Sequence, residues 1–206
     1  MPLDLAPPYV LLEDRSALDG DVRLYAQPEQ VISARTAADV RPALAQLDQA
    51  RASGRHLAGF IAYEAFAAFE PRVAEATKET DGAPLLWFGV FAGFTSLSAA
   101  AVDRELASQG PPPPLGDLRP EICAETHQAR VRRVLDLIAQ GDLYQANLTF
   151  PLSFRYAGRP LALYAALRAR QPVAHGGVVA TGEQTILSVS PELFISARDE
   201  IGRAHV

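Results

Sequence analysis

The stretch from Pro84 to Phe94 limits what this chain can become more than any other. It reads Pro-Leu-Leu-Trp-Phe-Gly-Val-Phe-Ala-Gly-Phe, almost without a polar residue. A half-exposed strand alternates apolar with polar, so an unbroken run reads as a strand covered on both faces. Trp87 and Phe88 are therefore expected in the core and not on a ligand platform. With 206 residues the chain is long enough to supply the covering layers.

Other elements can be placed around that strand. Tyr9 to Leu12 is a short apolar strand that turns polar at Glu13-Asp14-Arg15, and Leu24 to Ile32 supplies two more around Gln27-Pro28. Thr36 to Ser53 is a helix with Thr36 or Asp39 to cap it, Pro42 near its first turn and Gly54 to stop it. Leu57 to Ala65 reads as a buried strand whose oddity is Glu64, which either pairs with an arginine or faces a cleft. Gln109 to Pro120, with four consecutive prolines, reads as a stiff exposed connector. Beyond it, Glu125 to Gln140 is a helix with the stripe Val131, Val134, Leu135 and Ile138, and Pro160 to Arg170 is another. Gly176 to Ala180 and Gln184 to Val189 form a hairpin across Thr181-Gly182-Glu183.

Two stretches carry candidate chemistry. Gly141 to Phe150 is expected to be a strand with Leu143, Gln145, Asn147 and Thr149 on one side and Tyr144, Ala146, Leu148 and Phe150 on the other. Either that polar side is simply wet, or its two amides line a cleft. Ile186 to Ile195 reads as a strand with Leu187, Val189, Leu193 and Ile195 on one side and Ser188, Ser190 and Glu192 on the other. Glu192, a carboxylate in an otherwise apolar strand, is a candidate general acid or base; Pro191 favours an edge position.

In this order, the two stretches resemble component I of aminodeoxychorismate synthase, a family of chorismate-utilising enzymes with anthranilate synthase component I and isochorismate synthase as relatives. Gly141-Asp142-Leu143-Tyr144-Gln145-Ala146-Asn147-Leu148-Thr149 is similar to the aminodeoxychorismate form of one motif, and Ser190-Pro191-Glu192-Leu193-Phe194 to the Ser-Pro-Glu-x-Phe motif. Anthranilate synthases usually carry Gln-Val-Val-Leu-Ser at the first site, so Asn147 points to the folate branch. The resemblance implies an α+β fold, an incomplete β-sandwich with flanking helices. Residues 1–108 would be its N-terminal region, 109–120 a connector and 121–199 the start of the chorismate-binding domain. It implies amination of chorismate to 4-amino-4-deoxychorismate, toward p-aminobenzoate and folate. Glu192 would be the catalytic acid/base, with Ser190, Gln145 and Asn147 as substrate-pocket candidates. A glutamine amidotransferase subunit would supply ammonia, and Mg²⁺ would be the cofactor.

Two departures fall on one region. Relatives that bind a regulatory amino acid carry Leu-Leu-Glu-Ser where this chain has Leu11-Leu12-Glu13-Asp14, and a Pro-aromatic-small sequence where it has Ala174-His175-Gly176. Glu13, Asp14, Ala174, His175 and Gly176 are thus the effector-pocket candidates, and tryptophan binding is not expected. The family's next motif, Arg-Pro-Met/Ile-Lys-Gly-Thr with its nucleophilic lysine, is missing, as are the downstream Mg²⁺ ligands. Residues 200–206 match the translation of a common sequencing adapter. The chain is therefore expected to be a truncated, inactive and poorly soluble fragment with an artefactual tail. The alternatives are an anthranilate synthase component I fragment and a non-catalytic effector-binding module.

Charge and cysteine use exclude other classes. A net charge of −5 gives no reason to expect nucleic acid or an anionic membrane as partner. Arg130, Arg132 and Arg133 punctuate a helix and read as its solvated side. The single cysteine, Cys123, excludes an intramolecular disulfide and suits a reducing compartment. Met1 to Pro8 lacks the basic start and apolar run of a signal peptide, so the cytoplasm is the expected location.

Overall fold

The computed structural model describes residues 5–15, 21–70, 72, 82–190, 195–198 and 201–204. Leu86–Phe91 is the expected covered strand, β5, with five of its six residues buried. It is the middle of a three-stranded antiparallel sheet between β3 (Gln30–Ala34) and β4 (His56–Ile61). A five-stranded antiparallel sheet supplies the second layer. In order it comprises β10 (Thr185–Ser190), β9 (His175–Ala180), β1 (Tyr9–Asp14), β2 (Asp21–Ala26) and β6 (Thr95–Leu97). The fold class is α+β, with two sheets packed face to face and helices outside them.

Three apolar layers follow from the alternation of side chains along each strand. Between the sheets lie Val10, Tyr25 and Val179 of the larger sheet against Ala58, Trp87 and Phe91 of the smaller. On the outer face of the smaller sheet, Ile32, Ala34, Leu86 and Val90 pack under Val40, Ala43 and Leu47 of α1 (Ala37–Ala52). On the outer face of the larger sheet, Tyr9, Leu11, Val22, Leu24 and Val178 pack against two helices. These are α2 (Ala99–Ser108), through Val102 and Leu106, and α4 (Pro160–Arg170), through Leu161 and Tyr164. The order of layers is helices, sheet, sheet, helix. Gly59 is required where β4 meets β5: a Cβ there would fall on the Trp87 carbonyl oxygen and 2.7 Å from Phe88 Cα.

The chain divides into two compact units, 1–111 with 160–206, and 112–159. The sandwich lies in the first. The second pairs β7 (Gly116–Pro120) with β8 (Leu152–Arg155) and carries α3 (Ala124–Gln140), which ends at Gly141 with φ 82° as a glycine stop requires. The amphipathic stripe of α3 is as expected, yet none of its residues is buried.

Three local expectations are corrected, and one helix is added. Leu143 to Phe150 forms no strand: it runs irregularly after α3, with no ladder partner among the described residues. Alternation alone does not make a strand when no neighbour takes its backbone groups. Glu64 sits in a 3₁₀ turn (Tyr63–Ala68) and not on a buried strand, because β4 ends at Ile61. The end of the expected connector, Gly116–Pro120, is a strand, with a bulge that absorbs its irregular register. The helix Ala99–Ser108, capped by the Ser98 hydroxyl accepting from the Ala101 amide at 3.2 Å, went unread. Beyond β10, Ile195–Arg198 (β11) pairs with Ile201–Ala204 (β12).

Candidate functional site

Opposite residues on neighbouring strands share a face. Across β10, β9 and β1 the rows on the inter-sheet face read Ile186, Val179, Val10; then Ser188, Gly177, Leu12; then Ser190, His175, Asp14. The first row is core. In the second, Leu12 is 39% exposed and Ser188 is exposed, so the smaller sheet no longer covers this end. The face thus changes from apolar to polar toward one mouth of the sandwich. Gly177 keeps the second row shallow, since a Cβ would stand 2.9 Å from the Leu11 carbonyl oxygen. Arg23, opposite Leu12 on β2, adds a guanidinium over the Phe94 ring at 5.1 Å.

The third row brings together residues far apart in sequence. His175 Nδ1 lies 3.8 Å from Asp14 Oδ1, both side chains half-buried, an ion pair whenever the imidazole is protonated. The Arg15 amide donates to the Ala174 carbonyl at 2.7 Å and extends the ladder one step past this row. Asp14, Ala174, His175, Gly176 and Ser190 are therefore neighbours at one end of the sheet. The expected division of faces on β10 holds: Leu187 and Val189 pack toward α2 and α4, away from Ser188 and Ser190. Pro191, Glu192, Leu193 and Phe194, and with them the candidate acid, lie outside the described residues.

Glu13 has a different role from its neighbour. It points to the helix side, is 3% exposed, and is the buried charged residue of the described chain. Its Oε1 accepts from the Tyr164 hydroxyl at 2.6 Å, and its Oε2 accepts from Arg168 Nε at 3.0 Å and Nη2 at 2.8 Å. Arg168 Nη1 in turn donates to Asp103 Oδ1 of α2 at 2.7 Å. Burial, then the hydrogen bond and negative charge of Glu13, push the Tyr164 hydroxyl far above its ordinary range. Burial works against the charge on Arg168, but hydrogen bonds to Glu13 and Asp103 outweigh it and the guanidinium is held more firmly protonated. Sequence reading gave Tyr164 and Arg168 only as positions of the helix Pro160 to Arg170, and missed Asp103 and the buried network with Glu13. A signal existed: Leu161, Tyr164 and Arg168 fall on one face of α4, so its apolar stripe ends in a cation.

Gln145 and Asn147 belong to the second unit and are exposed there. In the same unit the Cys123 thiol is exposed, with Sγ 3.2 Å from Thr126 Oγ1, and hydrogen bonding to Thr126 lowers its pKa. His127 makes an edge contact with the Phe150 ring at 5.1 Å. Among the described residues no group of three or more His, Cys, Asp or Glu could hold a metal ion. No helix of the described residues is long and apolar enough to cross a membrane.

Comparison with known proteins gives two similar curated relatives. Anthranilate synthase component 1 of Thermus thermophilus is 41% identical over 71 residues, which is 34% of this chain and 15% of that protein. Anthranilate synthase component 1 of Haloferax volcanii is 29% identical over 76 residues, 37% of this chain and 14% of that protein. The matched stretches thus span about one seventh of those relatives. A family model described as chorismate binding enzyme matches residues 7–205, nearly the whole chain, and the protein belongs to the chorismate-binding enzyme family.

Proposed function

We propose that the protein encoded by the whole reading frame aminates chorismate, replacing the C4 hydroxyl to give 4-amino-4-deoxychorismate. Ammonia comes from a glutamine amidotransferase partner. Hydroxide is a poor leaving group, so the departing oxygen needs a proton, and Glu192 is the proposed donor. The observation that carries the reading is the Ser190-Pro191-Glu192-Leu193-Phe194 sequence, continuing from a strand whose last residue, Ser190, lies on the polar end of the inter-sheet face. Ser190, Gln145 and Asn147 are proposed to bind substrate, and the cytoplasm is the proposed location.

The choice of C4 amination rests on Gln145-Ala146-Asn147 in the first motif. The two similar relatives are anthranilate synthase components, and that favours a second reading in which the product is anthranilate. Mg²⁺ is the proposed cofactor, and product analysis of the whole reading frame with chorismate, ammonia and Mg²⁺ separates the two. Glu192→Gln should lower turnover by about 10²-fold or more with either product. Undiminished turnover in that variant, or turnover of neither kind in the parent, would refute the proposal.

A further inference from the structure

We infer that Tyr164 and Arg168 are positioning residues: through Glu13 they set the Asp14–His175–Ser190 row on the opposite face of the sheet. Glu13 and Asp14 are consecutive on β1, so a side chain fixed on the helix side fixes the backbone from which the next one projects. The anchor also spans two strands. Gly176 stands across the ladder from Glu13, and a Cβ there would meet the Tyr164 hydroxyl oxygen at 2.5 Å. The hydroxyl therefore occupies the space above β9 while donating to the carboxylate on β1. One phenol pins both members of that rung.

Arg168 closes the arrangement from the other side. Its two hydrogen bonds to Glu13 Oε2 prevent the carboxylate from swinging away from the hydroxyl, and its contact with Asp103 ties the helix pair to the same point. The next rung along is Asp14 opposite His175, and His175 is in turn opposite Ser190. A shift of the Glu13 rung must move this row, because the ladder hydrogen bonds couple adjacent rungs. The weight of this for catalysis rests on the chorismate reading, since Ser190 leads into the segment bearing Glu192. The positioning itself does not.

The test uses the chain as it stands, labelled with ¹⁵N-histidine. Tyr164→Phe keeps the ring and removes the hydroxyl, Glu13→Gln keeps the shape and removes the charge, and Leu106→Ala loosens the same helix–sheet core without touching the network. Expected are displaced imidazole signals of His175 in Tyr164→Phe and Glu13→Gln, with unmoved His175 signals in Leu106→Ala. His56, on the other sheet, reports that each variant is folded. Unmoved His175 signals in a folded Tyr164→Phe chain would overturn the inference, as would equal displacement in Leu106→Ala. Should Glu13→Gln not fold, Arg168→Lys replaces it, with the same two outcomes. Loss of the chorismate reading would appear in product analysis and leave these signals unchanged.

Discussion

Arg168 meets Glu13 through two nitrogens that converge on a single carboxylate oxygen, Nε at 3.0 Å and Nη2 at 2.8 Å. The pair is nearly dry, with side chains 14% and 1% exposed. Removing Arg168 leaves the Glu13 carboxylate in the core without its counter-charge and with only the Tyr164 hydroxyl as partner, so Arg168→Ala should cost about 3–5 kcal/mol. The double variant Glu13→Leu/Arg168→Leu should recover a large part of that loss. Urea denaturation of the three chains measures both.

Alkaline pH should weaken the fold through Tyr164 and Tyr9. Burial raises both phenols above the ordinary value of 10.0, so the folded state favours the neutral form. The resulting stability is whole below pH about 10 and is lost as pH rises beyond it, by up to about 1.4 kcal/mol per pH unit for each group. Denaturation midpoints between neutral and strongly alkaline pH should fall accordingly. Tyr164→Phe should show a shallower fall.

Gly59→Ala should be severe. The added methyl meets backbone on the facing strand and not a flexible side-chain end, so relief requires β4 to move from β5. A loss of about 3 kcal/mol or more is expected, as for an overpacked core site. Gly54→Ala offers a contrast in mechanism, since nothing stands near its Cβ and only φ 79° opposes it; its cost should be about 1 kcal/mol. Thermal melts of the two variants give the comparison.

Trp87 is the only tryptophan and is 5% exposed between the sheets, so its fluorescence reports on that layer. Native emission should be blue-shifted and resistant to acrylamide. Phe91→Ala, which removes a ring 1% exposed in the same layer, should cost about 3–5 kcal/mol and increase quenching. A Leu47→Ala change on the far side of the smaller sheet should destabilise with little effect on quenching.

The sequence by itself determined the local pieces: the covered strand at Leu86–Phe91, the helices at Ala37–Ala52 and Pro160–Arg170, the hairpin of β9 and β10, and the motif beginning at Ser190. Each is written in periodicity, a turn or a contiguous motif, so neighbours in the chain suffice. Tertiary structure alone decided that Glu13 finds its cation 155 residues away, and that Ser190 joins Asp14 and His175, which the resemblance had already grouped, in one row. It also decided that the alternating Leu143 to Phe150 has no strand beside it. A backbone ladder and a buried charge are both completed by whatever stands opposite in space. That partner is set by packing across the whole chain, where a local pattern carries no information.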